Sequence, residues 1–393
     1  MANSMLTPTA VTREIQSVLH GKLFLAKKVN RDYDSQYMGD GAKEGADIKI
    51  RLPNKYTVRT GKTFNAQDTS ETSVTLTRAT QIGVDMTFST AELTMEMQDF
   101  SKRIIEPAAK PLASTIENAV AGLYVNVPNL VGTAGTTPGS MLVVLQAGAR
   151  LTDNLVDDND RYLALSPTAM ATMVDGYKGL FHKGSDIADQ YESGLIKDVA
   201  SGFTWGRCPV INSHTNSAGV VTGITVNDTV ASGDSEVTVQ TTTTAFAAGT
   251  IVTFAGCYAV NDETKAAYPH LRQFVVTSAS ATVLTISPTI YTSGANQNCS
   301  AIPTNGGAVT VVGSASTSYP QHLAFHRDWA TLATCDLEDV SKFGAWGARQ
   351  EWDGISIRLA RKYDIASDNV PCRLDILYGV KQIRGDLCVR ITG

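Results

Sequence analysis

Apolar residues recur at steps of three and four positions across residues 100–124, and this spacing predicts one long helix with a single apolar face. The residues on that face are Ile105, Ala108, Ala109, Leu112, Ile116, Ala119, Val120 and Leu123. Asp99 is the predicted N-cap of this helix. Glu117 falls outside the apolar face, with most of the other polar residues of the segment.

Two prolines, Pro107 and Pro111, lie inside the predicted helix. Pro107 is tolerated if the helix begins at Glu106, because the first N–H groups of a helix have no partner within it. Pro111 removes a backbone hydrogen bond and crowds the carbonyl four residues earlier, so we expect a bend there. Two interpretations follow: an ordinary core helix with a kink, or a long spine that carries a flat, elongated subunit.

Alternation of apolar and polar residues predicts strands on both sides of a polar stretch. One strand is expected at 48–53, and a long one at 74–88, where the apolar residues share one parity. The stretch between them, 54–73, has little to bury, which predicts a projecting hairpin loop. Its charged residues are Lys55, Arg59, Lys62, Asp68 and Glu71. This loop is either a floppy surface loop or an arm that becomes ordered only against a neighbouring subunit.

The N-terminal and central parts of the chain have different patterns. Residues 1–46 contain one predicted helix, at 9–20, and are otherwise interpreted as an extended arm, because they hold too little apolar material for a core. Residues 140–221 alternate between helix and strand, as in a compact α+β domain. A helix is expected at 141–154, and a strand at 161–165 that leads into a helix.

A change in composition near Thr222 predicts a separate all-β module that extends to Gly313. Charged residues become scarce, threonine becomes abundant, and no helical period is visible. Short strand-like runs separated by Gly, Asn, Asp and Pro favour a small barrel or sandwich; these runs are 236–240, 250–254, 273–277, 282–286 and 308–312. Mixed patterns resume afterwards, so the module is interpreted as an insertion into the α+β domain.

Composition narrows the range of functions. A chain of 393 residues has room for two or three domains, and its net charge of −5 gives no reason to expect tight binding of nucleic acid to a basic face. It has no run of eighteen apolar residues and no secretory signal at its start, so neither a membrane span nor export is expected.

Several fragments imitate catalytic motifs but lack required parts. Gly61-Lys62-Thr63 ends like a phosphate-binding loop, but Tyr56 replaces the earlier glycine. His322 and His326 have metalloprotease spacing, but Leu323 stands where the general-base glutamate belongs. The six cysteines are widely spaced without a CxxC pair, so we expect buried, reduced thiols. No catalytic, cofactor-binding or metal-binding residue is assigned.

Several motifs, in their order along the chain, resemble those of tailed-phage coat proteins. The helix motif comprises Asp99-Phe100-Ser101, Arg103, Glu106-Pro107-Ala108-Ala109 and Leu112-Ala113. Further similar segments are RYLALSPTAMATMV (161–174), GLIKDVASGFTWGRCPVI (194–211), HLAFHRDWATLAT (322–334), GISIRLARKYDI (354–365) and CRLDILYGVKQIRGDL (372–387). In the β module, GTIVTFAGCYAV (249–260) and QFVVTSASATVLTISPTI (273–290) resemble the inserted domain of the Salmonella phage P22-like family.

The resemblance implies an α+β, HK97-like capsid fold with a long spine helix, a projecting β-hairpin loop and an inserted barrel-like domain. The corresponding segments are the N-terminal arm (1–46), the extended loop (47–88), the spine helix and peripheral domain (89–139), the first part of the axial domain (140–221), the inserted domain (222–313) and the return with the closing strands (314–393). The five charged loop residues become candidates for contacts between subunits, and Pro107 and Pro111 mark the spine bend.

The implied function is that of a major capsid protein, without enzymatic activity or cofactor, which assembles into an icosahedral shell around double-stranded DNA. Implied partners are copies of itself in hexamers and pentamers, a scaffolding protein, a portal protein, a decoration protein and the packaged DNA without sequence-specific contact. The expected location is the virion capsid, after assembly in the host bacterial cytoplasm.

The relatives carry a long charged loop in the insert, whereas the corresponding stretch, 227–236, is short in this chain. Residues 261–272 are therefore a candidate for the replacement contact. The alternatives are an exported β-rich adhesin or tail-fibre protein, and an enzyme with a scattered site.

Overall fold

The protein is described by a computed structural model that covers residues 23–32, 47–59, 61–64, 66–67, 71–77, 80–89, 106–177, 199–217, 222–240, 246–280, 282–338, 340–352 and 355–393. The chain divides into two compact units. Unit 1 comprises Met1–Ile50, Ser73–Val120 and Ala330–Lys381, and unit 2 comprises Arg51–Thr72, Ala121–Trp329 and Gln382–Gly393. The predicted helix at 9–20 and the predicted N-cap Asp99 lie outside the described residues.

The described elements combine a few helices with many strands. The α-helices are α1 (Leu25–Lys28), α2 (Glu106–Ala121), α3 (Met141–Asp153) and α4 (Pro167–Tyr177). The strands are β1 (Asp47–Arg51), β2 (Ser73–Thr77), β3 (Thr80–Ser89), β4 (Asn129–Val131), β5 (Arg161–Leu165), β6 (Val199–Ala200), β7 (Phe203–Arg207), β8 (Ser213–Thr215), β9 (Ile224–Val226), β10 (Glu236–Gln240), β11 (Ile251–Val260), β12 (Ala267–Ala279), β13 (Val283–Ser287), β14 (Ala308–Val311), β15 (Ser318–Pro320), β16 (His322–His326), β17 (Ala330–Cys335), β18 (Trp346–Trp352), β19 (Ile355–Arg361), β20 (Asn369–Gln382) and β21 (Cys388–Ile391). The mixed α/β content expected from the sequence is confirmed.

A five-stranded sheet forms the main part of unit 1, in the order β17-β20-β19-β18 with β3 paired to β20. Asp375 of β20 is fully buried and accepts hydrogen bonds from Arg358 and Arg373, each at 2.7 Å. The two guanidinium groups offset the cost of burying the carboxylate. Gly83 lies opposite Asp375, where a Cβ atom would come within 2.7 Å of the carboxylate.

The long strand predicted at 74–88 is two strands in two different sheets. β2 pairs with β1, whereas β3 pairs with β20. The alternation itself is confirmed, since Val74, Leu76, Ile82 and Val84 are the more covered residues along both strands. Each strand has one covered face, so the period of two runs through both and conceals the change of partner.

Helix α2 begins at Glu106 and is followed by a 3₁₀ segment, Gly122–Asn126, so its regular part ends before the predicted residue 124. Residues 100–105 of the prediction lie outside the described residues. The predicted apolar face is confirmed, with Leu112, Ile116 and Val120 buried. The last turn tightens where the Val127 N–H reaches the Tyr124 carbonyl at 2.9 Å, as 3₁₀ geometry allows at helix ends.

Glu117 of α2 is buried, although its place outside the apolar face predicted exposure. Its carboxylate accepts hydrogen bonds from the backbone N–H groups of Phe24 (2.5 Å), Leu25 (3.1 Å) and Ala26 (3.3 Å). A carboxylate at this position satisfies N–H groups that the short helix α1 leaves unpaired. Leu25 and Ala26 are themselves fully buried, so this part of the expected extended arm instead belongs to the core of unit 1.

Unit 2 contains a six-stranded sheet in the order β4-β21-β16-β5-β7-β6. The predicted strand at 161–165 and the helix that follows it are confirmed as β5 and α4. The predicted helix at 141–154 is confirmed as α3, whose first turn is capped by Ser140, which accepts from the Leu142 N–H at 3.2 Å.

The β module within 222–313 forms a closed barrel in the order β10-β13-β12-β11-β14-β9. Phe254 and Phe274 lie in its core with ring centroids 5.5 Å apart. The barrel alternative is therefore confirmed over the sandwich. Strand β9 was not predicted, because three residues are too few to display a period of two.

Replacing Glu117 with alanine should lower the free energy of unfolding of unit 1 by about 2–4 kcal/mol, because three backbone N–H groups lose their acceptor in a buried place. Chemical denaturation of the free subunit measures the change. Glu263→Gln, an exposed carboxylate-to-amide change, is the control and should shift stability by less than about 0.5 kcal/mol. Equal effects of the two variants would contradict a capping role for Glu117.

Candidate functional site

Side chains that bind backbone groups join the barrel to the remainder of unit 2. The Gln273 amide donates to the Leu130 carbonyl at 3.0 Å and accepts from the Leu130 N–H at 2.8 Å. The Asn216 amide donates to the carbonyls of Val312 (3.0 Å) and Ser314 (3.1 Å). Gln273 thus acts as a short strand partner of β4 and holds the barrel to the six-stranded sheet, whereas Asn216 ties the end of the barrel to the segment that follows β8 (Ser213–Thr215).

Arg390 lies at the centre of this junction and is fully buried. Its guanidinium donates to the Gly249 carbonyl at 2.8 Å and to the Gln321 side-chain oxygen at 3.3 Å. The ring of Tyr124 faces it at 5.8 Å. Burial lowers the pKa of Arg390 to about 10, so the group is still charged at neutral pH.

His214 lies in the same buried cluster, with its ring 6.0 Å from that of Tyr124 and 5.9 Å from that of Tyr319. Its Nε2 atom lies 3.3 Å from the Thr250 hydroxyl. Burial, and then the nearby Arg390 charge, lower the pKa of His214 to about 4. The histidine is therefore neutral at pH 7, and its protonation would place a second positive charge beside a buried guanidinium.

The loop of residues 52–72 connects the paired strands β1 and β2. The Leu52 N–H donates to the Thr72 carbonyl at 2.8 Å, and Arg51 pairs with Glu71 at 2.8 Å. These contacts close the base of the loop. One of the candidate contact residues, Glu71, thus has a partner within its own chain.

In the far part of the loop the structure describes residues 56–59, 61–64 and 66–67, and Gln67 links the two sides. Gln67 accepts from the Thr57 N–H at 2.8 Å and donates to the Thr57 carbonyl at 2.6 Å. Beyond this pair, Val58 is 93% exposed and Phe64 is 84% exposed. The described part of the chain therefore leaves both apolar side chains uncovered.

Lys55 contacts the barrel of its own chain, with its ammonium 2.7 Å from the Asp262 carboxylate. The positive charge also reaches Asp386, which pairs with Arg272 at 2.6 Å. Burial alone would raise the pKa of Asp386, but Arg272, with smaller contributions from Lys55 and Arg384, lowers it overall. Lys55, a candidate for contacts between subunits, therefore has an ion-pair partner within its own chain.

The remaining predicted site residues are Arg59, Lys62, Asp68, Pro107 and Pro111. Arg59 donates to the backbone carbonyl of Gly61, and Lys62 is exposed. Asp68 lies outside the described residues. Pro107 is in the first turn of α2, and Pro111 lies inside the helix, as the sequence predicts. The bend at Pro111 stays a prediction.

The fragments that imitate catalytic motifs have structural roles. His322 and His326 lie on strand β16, where residues four apart are distant, as predicted. His322 is buried and accepts from the Ser166 N–H at 3.3 Å, and burial lowers its pKa to about 4. All six cysteines are free and buried, which confirms their predicted packing role. In the described part of the chain, no cluster of His, Cys, Asp and Glu could hold a metal, and no helix is long and apolar enough to cross a membrane.

Comparison with known proteins assigns the chain to a family. Residues 1–393 match the family described as "P22 coat protein - gene protein 5". No curated protein sequence matches the chain. Among solved structures, it is similar to "Mycobacterium phage Che8" (13% identity, 94% of this chain and 90% of that chain, TM-score 0.43) and to "Capsid of Ralstonia phage GP4" (8% identity, 92% and 90%, TM-score 0.44). Structural similarity at this level is too weak to specify a fold, and the assignment depends on the family match.

The protein is a major capsid protein, and its copies form the shell of a phage. The chain belongs to the P22 coat protein family. The interpretation as an exported adhesin or tail-fibre protein is not favoured.

Acid should destabilise unit 2 through His214 and His322, whose pKa values of about 4 lie below the unfolded value of about 6.5. The unfolded chain then binds more protons, so stability is complete above pH 6.5 and falls as the pH drops towards 4, by about 3 kcal/mol for each histidine. Unfolding of the free subunit followed between pH 7 and pH 4 measures this slope.

His214→Gln should reduce the pH slope of stability, because it removes a buried group that takes up a proton on unfolding. The glutamine retains a polar atom near Thr250 but cannot be protonated in this range. An unaltered slope in His214→Gln would show that acid acts elsewhere.

Proposed function

We propose that copies of this chain with an HK97-like fold form hexamers and pentamers, which close into an icosahedral shell around double-stranded DNA. Membership of the P22 coat protein family supports this proposal, together with the barrel inserted between β8 and β15 and the loop between β1 and β2. The protein acts by assembly and catalyses no reaction. A scaffolding protein, a portal protein and a decoration protein are its proposed partners, and assembly takes place in the host bacterial cytoplasm.

The net charge of −5 supports a wall that confines DNA without binding it tightly. A strongly cationic lining would neutralise phosphates and release their counterions, which would hold the genome and hinder its exit. The shell therefore encloses the packaged DNA without making sequence-specific contacts with it.

The loop tip is the proposed contact with an adjacent subunit, and the exposure of Val58 and Phe64 carries this proposal. Burying an exposed phenylalanine side chain contributes about 1.5–3 kcal/mol, which is large for one contact among many. Each shell contains many copies of this contact, and simultaneous engagement multiplies modest affinities. The charges at Arg59, Lys62 and Asp68 set the register of the contact more than its strength.

Replacing Phe64 with serine should leave the fold of the subunit unchanged and should weaken assembly. The exposed side chain contributes little to the free monomer, but its loss from an interface should raise the concentration required for assembly at least about tenfold. Light scattering with scaffolding protein measures assembly, and circular dichroism checks the fold.

Phe64→Leu is the matched control, because it retains an apolar side chain and should assemble close to normally. Normal assembly of Phe64→Ser, at the same concentration threshold as the unaltered protein, would exclude the loop tip as a contact.

Pro111 is proposed to bend α2 and so to shape the subunit for shell expansion. Pro111→Ala restores an N–H that can donate to the Pro107 carbonyl, which should straighten the helix and disturb shell shape or expansion more than folding. Cryo-electron microscopy of shells before and after expansion provides the measurement. Pro107→Ala is the control, since its first-turn N–H has no helical partner; normal particles from both variants would count against a role for the bend.

A further inference from the structure

The projecting loop changes from anchored to free within a few residues. Leu52 and Asn54 are half-buried, whereas Val58 is 93% exposed. Lys55 lies between the half-buried and the exposed residues and forms the ion pair with Asp262. Just beyond it, the Thr57–Gln67 hydrogen bonds close the tip into a unit of its own. On the leg that leads from β1, Lys55 is therefore the last residue before the tip with an ion pair to the barrel.

The partner of Lys55 is presented by a rigid turn of the barrel between β11 and β12. Asn261 caps this turn, because its side-chain oxygen accepts from the N–H groups of Glu263 and Thr264, both at 2.9 Å. The Asn261 amide donates to the Tyr268 hydroxyl at 2.8 Å. Lys265, on the other side of the turn, donates to the Ala295 carbonyl at 2.7 Å. The Lys265 ammonium also lies 3.5 Å from the Asp262 carboxylate, which is thus held by its own turn before Lys55 approaches. This reduces the entropy lost when Lys55 pairs with it.

We infer that the Lys55–Asp262 ion pair is a latch by which the inserted barrel sets the direction of the projecting loop in the free subunit. This gives 261–272 a role within the chain, as the support of the loop base. The latch is partly exposed, with side-chain exposure of 41% for Lys55 and 33% for Asp262, so it is sensitive to salt. A pair of this kind shifts an equilibrium by at most about fivefold, which suits a joint that must move when a shell expands.

Carbodiimide cross-linking of the free, monomeric subunit tests the contact directly, because this reagent couples an amine to a carboxylate only when the two are in contact. Mass spectrometry should find a Lys55–Asp262 link whose yield falls at high salt. Lys62, on the same loop, is the internal control and should give no link to Asp262. Absence of the Lys55 link, or an equal yield from Lys62, would overturn the inference.

A distance measurement tests the effect on the loop. Spin labels at Ala66→Cys and Thr282→Cys, both exposed positions, report the separation of tip and barrel, while the six native cysteines are buried. Asp262→Asn should broaden the distance distribution, whereas Glu263→Gln should leave it unchanged. A distribution unaltered by Asp262→Asn would contradict the latch.

The consequence for assembly rests on the proposed role of the loop tip, but both tests use the free subunit. If the ion pair is present but Phe64→Ser assembles normally, the proposed contact at the loop tip is excluded and the latch is retained. If the ion pair is absent but Phe64→Ser assembles poorly, the latch is excluded and the contact at the loop tip is retained.

Discussion

The proposed assembly contact depends on the burial of two apolar side chains, Val58 and Phe64, which are exposed on the loop in the single chain. Their segment has no core of its own, so its shape depends on hydrogen bonds across the loop and on ties at its base. Such a segment gains little free energy from its own chain, since apolar burial is the largest favourable contribution to folding. The proposed contact with a second copy of the chain would supply the missing burial.

The rest of unit 2 provides a firm support for this loop. The barrel has a closed hydrogen-bonded circuit and its own core, so it presents no free sheet edge of the kind that invites unspecific pairing. It is fixed to the six-stranded sheet by Gln273 and Arg390 and to the segment after β8 by Asn216, and all three side chains donate to backbone carbonyls. Backbone groups move little, so these ties set the position of the barrel and, through Asp262, of the loop base.

Local periodicity was a reliable guide wherever an element has one covered face. Helix α3 and the apolar face of α2 follow from it, because their burial pattern repeats within the element itself. The same signal could not separate β2 from β3, since both have a period of two and differ only in their distant partners. A strand as short as β9 offers no period to detect.

The residues that carry the site were harder to find. Glu117, Asp262 and Gln67 look like ordinary surface residues, because their partners lie far along the chain or across a loop. Arg390 gives no local sign of burial beyond its place in an apolar closing strand, where a charged residue between Val389 and Ile391 could have been suspected of a partner. The charged residues of the loop are visible in the sequence, but the partners that Lys55 and Glu71 have within the chain are known only from the structure.

The central claim is that the loop tip is exposed in the free subunit and covered in the shell. Hydroxyl-radical footprinting read by mass spectrometry measures this at Phe64, with Ile365, which is 85% exposed in the subunit, as an internal reference. The account predicts that Phe64 oxidises readily in the free subunit and is protected several-fold in assembled shells. Equal oxidation of Phe64 in subunits and shells would contradict it.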